Sequence, residues 1–275
     1  MSNKKVQIGT LIVSGILVIG GVAIYANEGG NIVNNNSSKA SIKDNKVIKN
    51  SETTKAEEVD KLLDEETESV FNTVKENEDD LVILCNKDVM LGENYIPDDL
   101  VVPKVPLVYP AEYQQSHLRD DAGVALEKMF ADADKVEGLE TMYLVSGYRS
   151  YDYQYEIFNN SMKNRGKEHT EKYMAKPGHS EHQTGLTADI STKSMGFGLE
   201  ESFEDTEEGK WLAANAHKYG FILRYPEERV ETTGYAYEPW HFRFVGEEVS
   251  KYMHKKELVL EDIYESLEEN NDSVG

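Results

Sequence analysis

Cysteine is nearly absent from this chain: Cys85 is the single one in 275 residues. No intrachain disulfide can therefore form, and a zinc knuckle built from several cysteines is excluded. Cys85 ends the apolar run "LVILC" at 81–85, where we expect a small buried side chain rather than a reactive thiol. Any bound metal must therefore be held by histidine, aspartate or glutamate.

Basic residues are also in the minority. Lysine and arginine number 29 against 51 aspartates and glutamates, which gives a formal net charge of -22 at pH 7. Such a surface repels both phosphate backbones and anionic lipid headgroups. We therefore expect no nucleic-acid partner, and we expect an apolar segment rather than charge attraction to hold the protein at a membrane.

The N-terminus supplies such a segment. The run "VQIGTLIVSGILVIGGVAIY" at 6–25 contains no charged residue, and at about 1.5 Å per residue a helix of this length crosses a hydrocarbon core of about 30 Å. Lys4 and Lys5 precede it, and lysines favour the cytoplasmic side. The sequence predicts a cytoplasmic stub and transmembrane signal anchor over 1–26, with the remainder outside the cell. Secretion after cleavage of a signal peptide is the alternative.

Composition divides the remaining chain into four parts. Residues 27–55 are rich in Asn, Ser, Lys and Gly, which predicts a disordered linker. Residues 56–80 predict an acidic amphipathic helix, which either packs on the domain or extends a stalk. Residues 81–258 have the pattern of a compact domain, and 259–275 form an acidic tail that is helical in pattern at first. The apolar stripe of the amphipathic segment is Val59, Leu62, Leu63, Val70 and Val74.

Helical and strand-like patterns alternate irregularly within the domain. "DDAGVALEKMFADADK", "SYDYQYEIFNNSMKNRG" and "EEGKWLAANAHKYG" predict helices, and Tyr155, Phe158 and Met162 are the expected apolar face of the second. "LETMYLVSGYRS", "GLTADIST" and "WHFRFVG" predict strands. Because no regular βαβ period appears, we expect an α+β fold with a small, mostly antiparallel sheet and flanking helices. No internal repeat is present, and we expect a monomer.

Two histidines and an aspartate surround a glycine in "PGHSEHQTGLTADIST" at 177–192, although the chain holds only seven histidines. Strand alternation places Asp189 on the face opposite Leu186, Ala188 and Ile190. Gly185 allows a sharp bend that can return a preceding histidine to the aspartate. His182 and His179 both have a legitimate metal-binding spacing on chemical grounds.

A third ligand must come from a distant part of the chain, because a catalytic zinc takes three protein ligands and keeps one position open. "YAYEPWHFRF" offers His241 on a predicted strand, with Glu238 three residues earlier. Pro239 excludes a continuous helix through this segment, so the helical His-Glu-x-x-His arrangement is not used. Glu238 at the strand entrance could act as a general base.

These residues, with "SGYRS" at 146–150, resemble the VanY/LdcB-type zinc carboxypeptidases of bacterial cell-wall metabolism. The family pattern is Ser-x-His-x-x-Gly-x-Ala-x-Asp followed by Glu-x-x-His, and the resemblance covers roughly residues 80 to 255. Thr187 stands where the family has alanine, and we do not expect it to abolish metal binding. The matching residues are Ser180, His182, Gly185, Asp189, Glu238 and His241.

The resemblance implies that His182, Asp189 and His241 bind one zinc ion and that Glu238 is the catalytic base. It favours His182 over His179. Arg149 matches the arginine of the family's substrate pocket, which suits a C-terminal carboxylate because a guanidinium is planar, bidentate and permanently charged. The family positions that line the pocket for the terminal residue are Gln154, Ser180 and Tyr225.

The resemblance also implies a substrate. We expect hydrolysis of the C-terminal D-alanine of peptidoglycan stem peptides, by a domain held outside a bacterial cell membrane. D,D-activity on pentapeptides is the first expectation and L,D-activity on tetrapeptides the alternative, because both need the same metal chemistry. A non-catalytic wall-binding ectodomain is a further alternative, although such a domain commonly loses a ligand or the base. An endopeptidase would need a pocket open at both ends.

Overall fold

The computed structural model describes residues 65–77 and 80–272. The predicted anchor over 1–26 and the predicted linker over 27–55 lie outside these residues, as do three residues of the amphipathic stripe, namely Val59, Leu62 and Leu63. Within the described residues, no helix combines the length and the apolar character needed to cross a bilayer.

The described residues form two antiparallel sheets. A short ribbon pairs β1 (Leu100–Val101) with β2 (Leu118–Arg119). The main sheet has four strands in the spatial order β3-β4-β6-β5, and each neighbouring pair is antiparallel. The expected α+β class with small antiparallel sheets is therefore confirmed. The four strands are β3 (Met142–Ser146), β4 (Thr187–Thr192), β5 (Phe221–Leu223) and β6 (His241–Phe244).

Helices surround the sheets. They are α1 (65–76), α2 (Asp120–Ala133), α3 (Tyr151–Arg165), α4 (Lys167–Tyr173), α5 (Glu207–Asn215), α6 (Val230–Thr233), α7 (Glu247–Lys256) and α8 (Leu260–Asp272). Short 3-10 turns occupy Gln114–Ser116, Glu181–Thr184, Glu201–Asp205, Ala216–Tyr219 and Glu227–Arg229. The three helices predicted in the domain correspond to α2, α3 and α5.

Local capping explains where two of these helices begin. The Ser150 hydroxyl accepts a hydrogen bond from the Tyr153 N–H at the start of α3, and Thr206 does the same for Gly209 at the start of α5. The predicted apolar face of α3 is wrong at Tyr155, which is 56% exposed; Phe158 and Met162 are half-buried, and Gln154 is the buried residue of the helix.

The larger core lies between α2, α5 and the main sheet. Leu186, Ala188 and Ile190 are fully buried in this core, as the alternation along β4 predicts. Leu126 and Met129 of α2 pack into the same cluster. Because burial of each large aliphatic side chain contributes about 1.5 to 3 kcal/mol, this cluster fixes the position of β4, and the other face of β4 carries Asp189.

A second apolar cluster joins both ends of the described chain to the sheet. Val70 and Val74 of α1 are buried there with Val249 of α7. Leu260 and Ile263 of α8 are fully buried in the same cluster. The described part of the amphipathic segment therefore packs on the domain, and so does the first part of the segment predicted as an acidic tail.

Candidate metal centre

A glycine turn positions the first histidine. His182 lies in the 3-10 turn Glu181–Thr184, which ends at Gly185 in the left-handed conformation with φ of 71°. A Cβ at this position would lie 3.0 Å from atoms of both Arg119 and Leu100. Only glycine combines this φ with so little space, so the predicted bend is confirmed, and it delivers the chain directly into β4.

Strand register brings the two distant segments together. Asp189 of β4 is the direct partner of His241 in β6. Side chains of directly paired residues in antiparallel strands project from the same face of the sheet. The carboxylate and the second imidazole are therefore neighbours because of the sheet, while the glycine turn supplies His182.

The three side chains converge at one buried point. His182 Nε2 lies 3.2 Å from Asp189 Oδ2, and His241 Nδ1 lies 3.2 Å from Asp189 Oδ1. One ligand atom from each residue lies within 4.8 Å of the other two, and the imidazole centroids are 5.2 Å apart. Tetrahedral zinc with bonds of about 2.0 to 2.2 Å separates its ligand atoms by about 3.4 Å.

The donor set fits zinc. Two imidazoles and a carboxylate are ligand types that zinc accepts. Asp189 Oδ1 is buried and has no hydrogen-bond partner among residues 65–77 and 80–272, although the His241 Nδ1 atom is close. A buried carboxylate oxygen without a hydrogen bond costs free energy in a folded protein unless a cation or proton lies beside it.

Hydrogen bonds on the outer side fix which nitrogen of each ring faces inward. His182 Nδ1 lies 2.7 Å from the Gly147 carbonyl oxygen, which can only accept, so Nδ1 carries the hydrogen and Nε2 presents its lone pair to the site. His241 is reversed: its Nε2 lies 3.4 Å from Glu181 Oε2, and its Nδ1 faces Asp189.

The electrostatics of His182 and Asp189 suit metal ligands. Burial lowers the pKa of His182, and the nearby charge of Arg149 lowers it further. Burial opposes ionisation of Asp189, but the neighbouring histidines outweigh burial and hold the pKa of this carboxyl well below its usual range. Neutral imidazole and ionised carboxylate are the forms that bind a metal.

His241 differs from His182 when no metal is bound. Burial lowers the pKa of His241, but its close contacts with the carboxylates of Asp189 and Glu181 outweigh burial and raise the pKa to about 9. A proton therefore occupies this site near neutral pH, and a cation must displace it. Metal binding at this centre should accordingly release a proton.

Glu238 lies at the edge of the same group. Its Oε2 is 3.3 Å from His241 Nδ1, and its side chain keeps 18% of its surface exposed. Burial raises the pKa of Glu238 to about 7, because the attraction of His241 and Arg149 only partly offsets burial and the repulsion of Asp189. A carboxylate with a pKa near the working pH can both accept and return a proton.

Arg149 contributes a cation to the same cavity, which has a volume of about 470 Å³. Its backbone N–H donates to the His182 carbonyl at 3.0 Å, which holds the residue beside the turn. Its Nε is buried without a hydrogen-bond partner in the described part of the chain. Burial lowers the pKa of Arg149, and the charges of Asp189 and Glu238 counteract this. A bound anion would satisfy the guanidinium.

The remaining predicted residues line this cavity too. Gln154, Ser180 and Tyr225 are buried in its wall, and Gln154 donates to the Ala175 carbonyl at 2.7 Å, with its own Oε1 left without a partner. His179 is outside the three-ligand group: its Nδ1 lies 2.8 Å from the Asn86 carbonyl oxygen. The structure therefore brings together every predicted site residue and leaves His179 apart.

Four buried charged residues behind the centre were not predicted. Arginine in the apolar runs "FILRY" and "HFRFV" was the available signal, because a lone charge inside a buried strand needs a partner. No pattern in the sequence identifies that partner. The four residues are Glu181, Arg224, Arg243 and Glu261, and they form one ion-pair network.

Comparisons with known proteins agree with this geometry. The model of the VanY family, described as D-alanyl-D-alanine carboxypeptidase, matches residues 115–247. YodJ of Bacillus subtilis (strain 168) is 44% identical over 205 residues, which are 72% of this chain and 74% of YodJ.

Two solved structures are also similar. The LdcB LD-carboxypeptidase is 47% identical with a TM-score of 0.62, and the match covers 66% of this chain and 84% of LdcB. A VanY variant from a VanB-type resistance cassette, in complex with Zn(II), is 28% identical with a TM-score of 0.52, and the match covers 67% of this chain and 98% of that one.

Proposed function

Because the chain belongs to the VanY family of D-alanyl-D-alanine carboxypeptidases, we propose that its domain is a zinc-dependent carboxypeptidase that removes the C-terminal D-alanine from peptidoglycan stem peptides. One observation carries the proposal: His182, Asp189 and His241 converge at a buried point, on a cavity that Glu238 and Arg149 also line. The Zn(II) complex of a related VanY supports the choice of metal.

His182, Asp189 and His241 would hold the ion. Zinc bound there supplies Lewis-acid polarisation of the scissile carbonyl and makes water a stronger nucleophile. Glu238 accepts the proton of the attacking water at its carboxylate and then donates it to the leaving amine. Glu238 lines the same cavity as the three ligands, where a carboxylate can act first as general base and then as general acid.

Arg149 would recognise the end of the peptide. Its guanidinium, whose buried Nε has no hydrogen-bond partner among the described residues, can form two parallel hydrogen bonds to a terminal carboxylate. Binding at Arg149 places the last peptide bond near the base. Gln154, Ser180 and Tyr225 line the same cavity and would enclose the terminal residue.

Two substrates are candidates. D,D-activity, which cleaves D-alanyl-D-alanine at the end of a pentapeptide, is our first proposal and follows the family description. L,D-activity on a tetrapeptide is the second, and the 47% identity with the LdcB LD-carboxypeptidase favours it. The two activities share their metal chemistry and differ in the residue that precedes the cleaved bond.

Defined peptides test the function directly. We expect the zinc-loaded full-length protein to release free alanine from a synthetic stem peptide, and mass spectrometry of pentapeptide and tetrapeptide digests identifies the bond that is cut. The variant Glu238→Ala should retain zinc but lose turnover, while Glu137→Ala, an exposed glutamate, should retain both. Near-native turnover of Glu238→Ala would remove Glu238 from the mechanism.

Two further results would change the assignment. Release of dimeric muropeptides from intact peptidoglycan without free alanine would indicate an endopeptidase. Tight binding of stem peptides by the zinc-loaded protein with no cleavage of any of them would indicate a non-catalytic wall-binding domain.

We propose that the domain works outside a bacterial cell membrane as a monomer. The uncharged run at 6–25 and the two lysines that precede it support this location. The location is tested by membrane fractionation of cells, together with mass spectrometry of the intact protein recovered from each fraction. An intact N-terminus in the membrane fraction indicates an anchor, whereas a shortened soluble protein outside the cell indicates cleavage.

A further inference from the structure

Four buried ion-pairing residues connect the metal centre to the C-terminal helix. We propose that Glu261 of α8 is a positioning residue of the metal centre, which acts through Arg224 and Glu181 on His241. The inference rests on the proposed function, because it takes His241 to be a zinc ligand. The segment that the sequence predicts as an acidic tail would then help to hold a metal ligand in position.

Glu181 is the first step outward from the metal centre. Its carboxylate is buried, with Oε2 at 3.4 Å from His241 Nε2 and Oε1 at 2.7 Å from Arg224 Nε. An acceptor on Nε2 keeps the hydrogen of His241 on the outer side of the ring and leaves Nδ1 for a metal. The position of this carboxylate therefore decides both the tautomer and the rotation of the His241 ring.

Arg224 is the second step. It follows β5, is fully buried, and its backbone N–H donates to the His241 carbonyl at 3.2 Å. Its two terminal nitrogens donate to the two oxygens of Glu261 at 2.8 Å and 2.6 Å. Such a bidentate pair fixes the plane of a guanidinium. Glu261 thereby sets the direction in which Arg224 Nε points at Glu181.

Arg243 anchors Glu181 independently of α8. It lies two residues after His241 on β6, and its Nη1 donates to Glu181 Oε1 at 2.9 Å. Its Nη2 donates to the carbonyls of Leu81 and Ile83 at 3.2 Å and 2.8 Å. Glu181 therefore keeps one arginine when Glu261 is altered, which makes a variant of Glu261 a test of positioning rather than of folding alone.

The charge of Glu261 should also favour zinc binding, in addition to its effect on the orientation of Arg224. The two carboxylates of Glu181 and Glu261 balance the two guanidinium groups of Arg224 and Arg243. Loss of the Glu261 charge leaves one net positive charge two side chains away from a divalent cation. Both the added repulsion and the looser guanidinium weaken zinc binding.

The experiment compares two neighbouring residues of the same helix in the full-length protein. Glu261→Gln removes the charge from the network. Asp262→Asn is the matched control, because Asp262 also pairs with an arginine, Arg229, but that pair does not lead to the metal centre. Zinc affinity is measured by competition with a chromophoric chelator, and the visible absorption of the Co²⁺ form reports ligand geometry.

We expect the zinc dissociation constant of Glu261→Gln to rise by about 10-fold, at the low end of the effect of outer ligand-supporting groups. The cobalt spectrum should shift, and kcat should fall more than KM rises. Asp262→Asn should stay within about twofold of the wild type in zinc affinity, a change that corresponds to only about 0.4 kcal/mol. Glu181→Gln should weaken zinc binding more than Glu261→Gln does.

Equal zinc affinity and identical cobalt spectra for Glu261→Gln and Asp262→Asn would overturn the inference, whatever their stability. If Glu261→Gln does not fold, Glu261→Asp replaces it: the charge stays but the two-point contact is lost, and zinc affinity should still fall below that of the control. Failure of the inference alone leaves wild-type zinc binding and alanine release intact. A wild-type protein that binds no zinc would overturn the proposed function as well.

Discussion

Glu238 should make the metal-free protein less stable than a neutral residue would, and the variant Glu238→Gln tests this. Burial raises the pKa of Glu238 from 4.5 to about 7. One pKa unit corresponds to about 1.4 kcal/mol, so the ionised carboxylate costs the folded state on the order of 3 kcal/mol at pH 8. The 18% exposure of the side chain makes this an upper bound, because water reaches part of the carboxylate.

The sign of the effect depends on pH. Below about pH 4 the carboxyl is protonated in both the folded and the unfolded state, and the cost vanishes. Between the two pKa values only the unfolded chain is largely ionised, so the cost grows as pH rises. Above about pH 7 both states are ionised and the cost is constant. Glutamine carries no charge at any of these values.

Urea unfolding in the presence of a chelator measures the difference. We expect metal-free Glu238→Gln to unfold with a larger free energy than the wild type at pH 8, and this advantage should shrink to about 1 kcal/mol at pH 5. Glu137→Gln is the surface control and should show no such trend. A Glu238→Gln variant that is less stable than the wild type at pH 8 would refute the reasoning and with it the raised pKa that we assign to the base.

Three further predictions concern other residues. Arg149→Ala should lower kcat/KM for a peptide with a free C-terminal carboxylate by about 10- to 100-fold, since a charged hydrogen bond contributes about 1.5 to 3 kcal/mol; an unchanged preference for that peptide over its C-terminal amide would contradict the assignment. Gly185→Ala should destabilise the protein by about 1 to 3 kcal/mol in thermal unfolding, because its φ is 71° and its Cβ would press on Arg119 and Leu100; an unchanged Tm would show that the turn relaxes. Cys85 should resist iodoacetamide in the native protein and react in urea, because burial raises the pKa of its thiol to about 12; rapid labelling of the native protein would show that the thiol is accessible.

Local pattern was sufficient to predict part of the site. The alternation of "GLTADIST" placed Leu186, Ala188 and Ile190 in the core and Asp189 on the opposite face. Gly185 indicated a sharp turn because glycine adopts backbone conformations that other residues avoid, and the structure places it in the left-handed conformation. Strand alternation and a glycine turn each depend on neighbouring residues only, so both can be predicted from a short stretch of sequence.

Pairing between distant segments was harder to predict. Nothing in the spacing of β4 and β6 specifies that Asp189 lies opposite His241; the resemblance to a known motif supplied that link. The network around Glu181 shows the same limit. An arginine in a buried strand indicates that a charged partner exists. That partner, Glu261, lies in a segment whose acidic composition is typical of a solvent-exposed tail.

The spacing of apolar residues in α3 predicted the wrong buried face. The positions of Tyr155, Phe158 and Met162 suggested a helix with a buried stripe, yet Tyr155 is exposed and Gln154 is buried. Gln154 instead faces the cavity that Arg149 lines. A helix that forms the wall of a polar cavity buries polar side chains. The spacing of apolar residues cannot predict which polar side chains these are.

The pairing of Asp189 with His241 also bears on how the protein assembles. A slip of one residue between β4 and β6 would turn one of the two side chains to the opposite face of the sheet and leave an incomplete set of ligands. An ion that requires all three ligands recognises a single register and adds its binding free energy to that register alone. A metal ion bound by all three residues would therefore favour the register in which Asp189 lies opposite His241 over any shifted register.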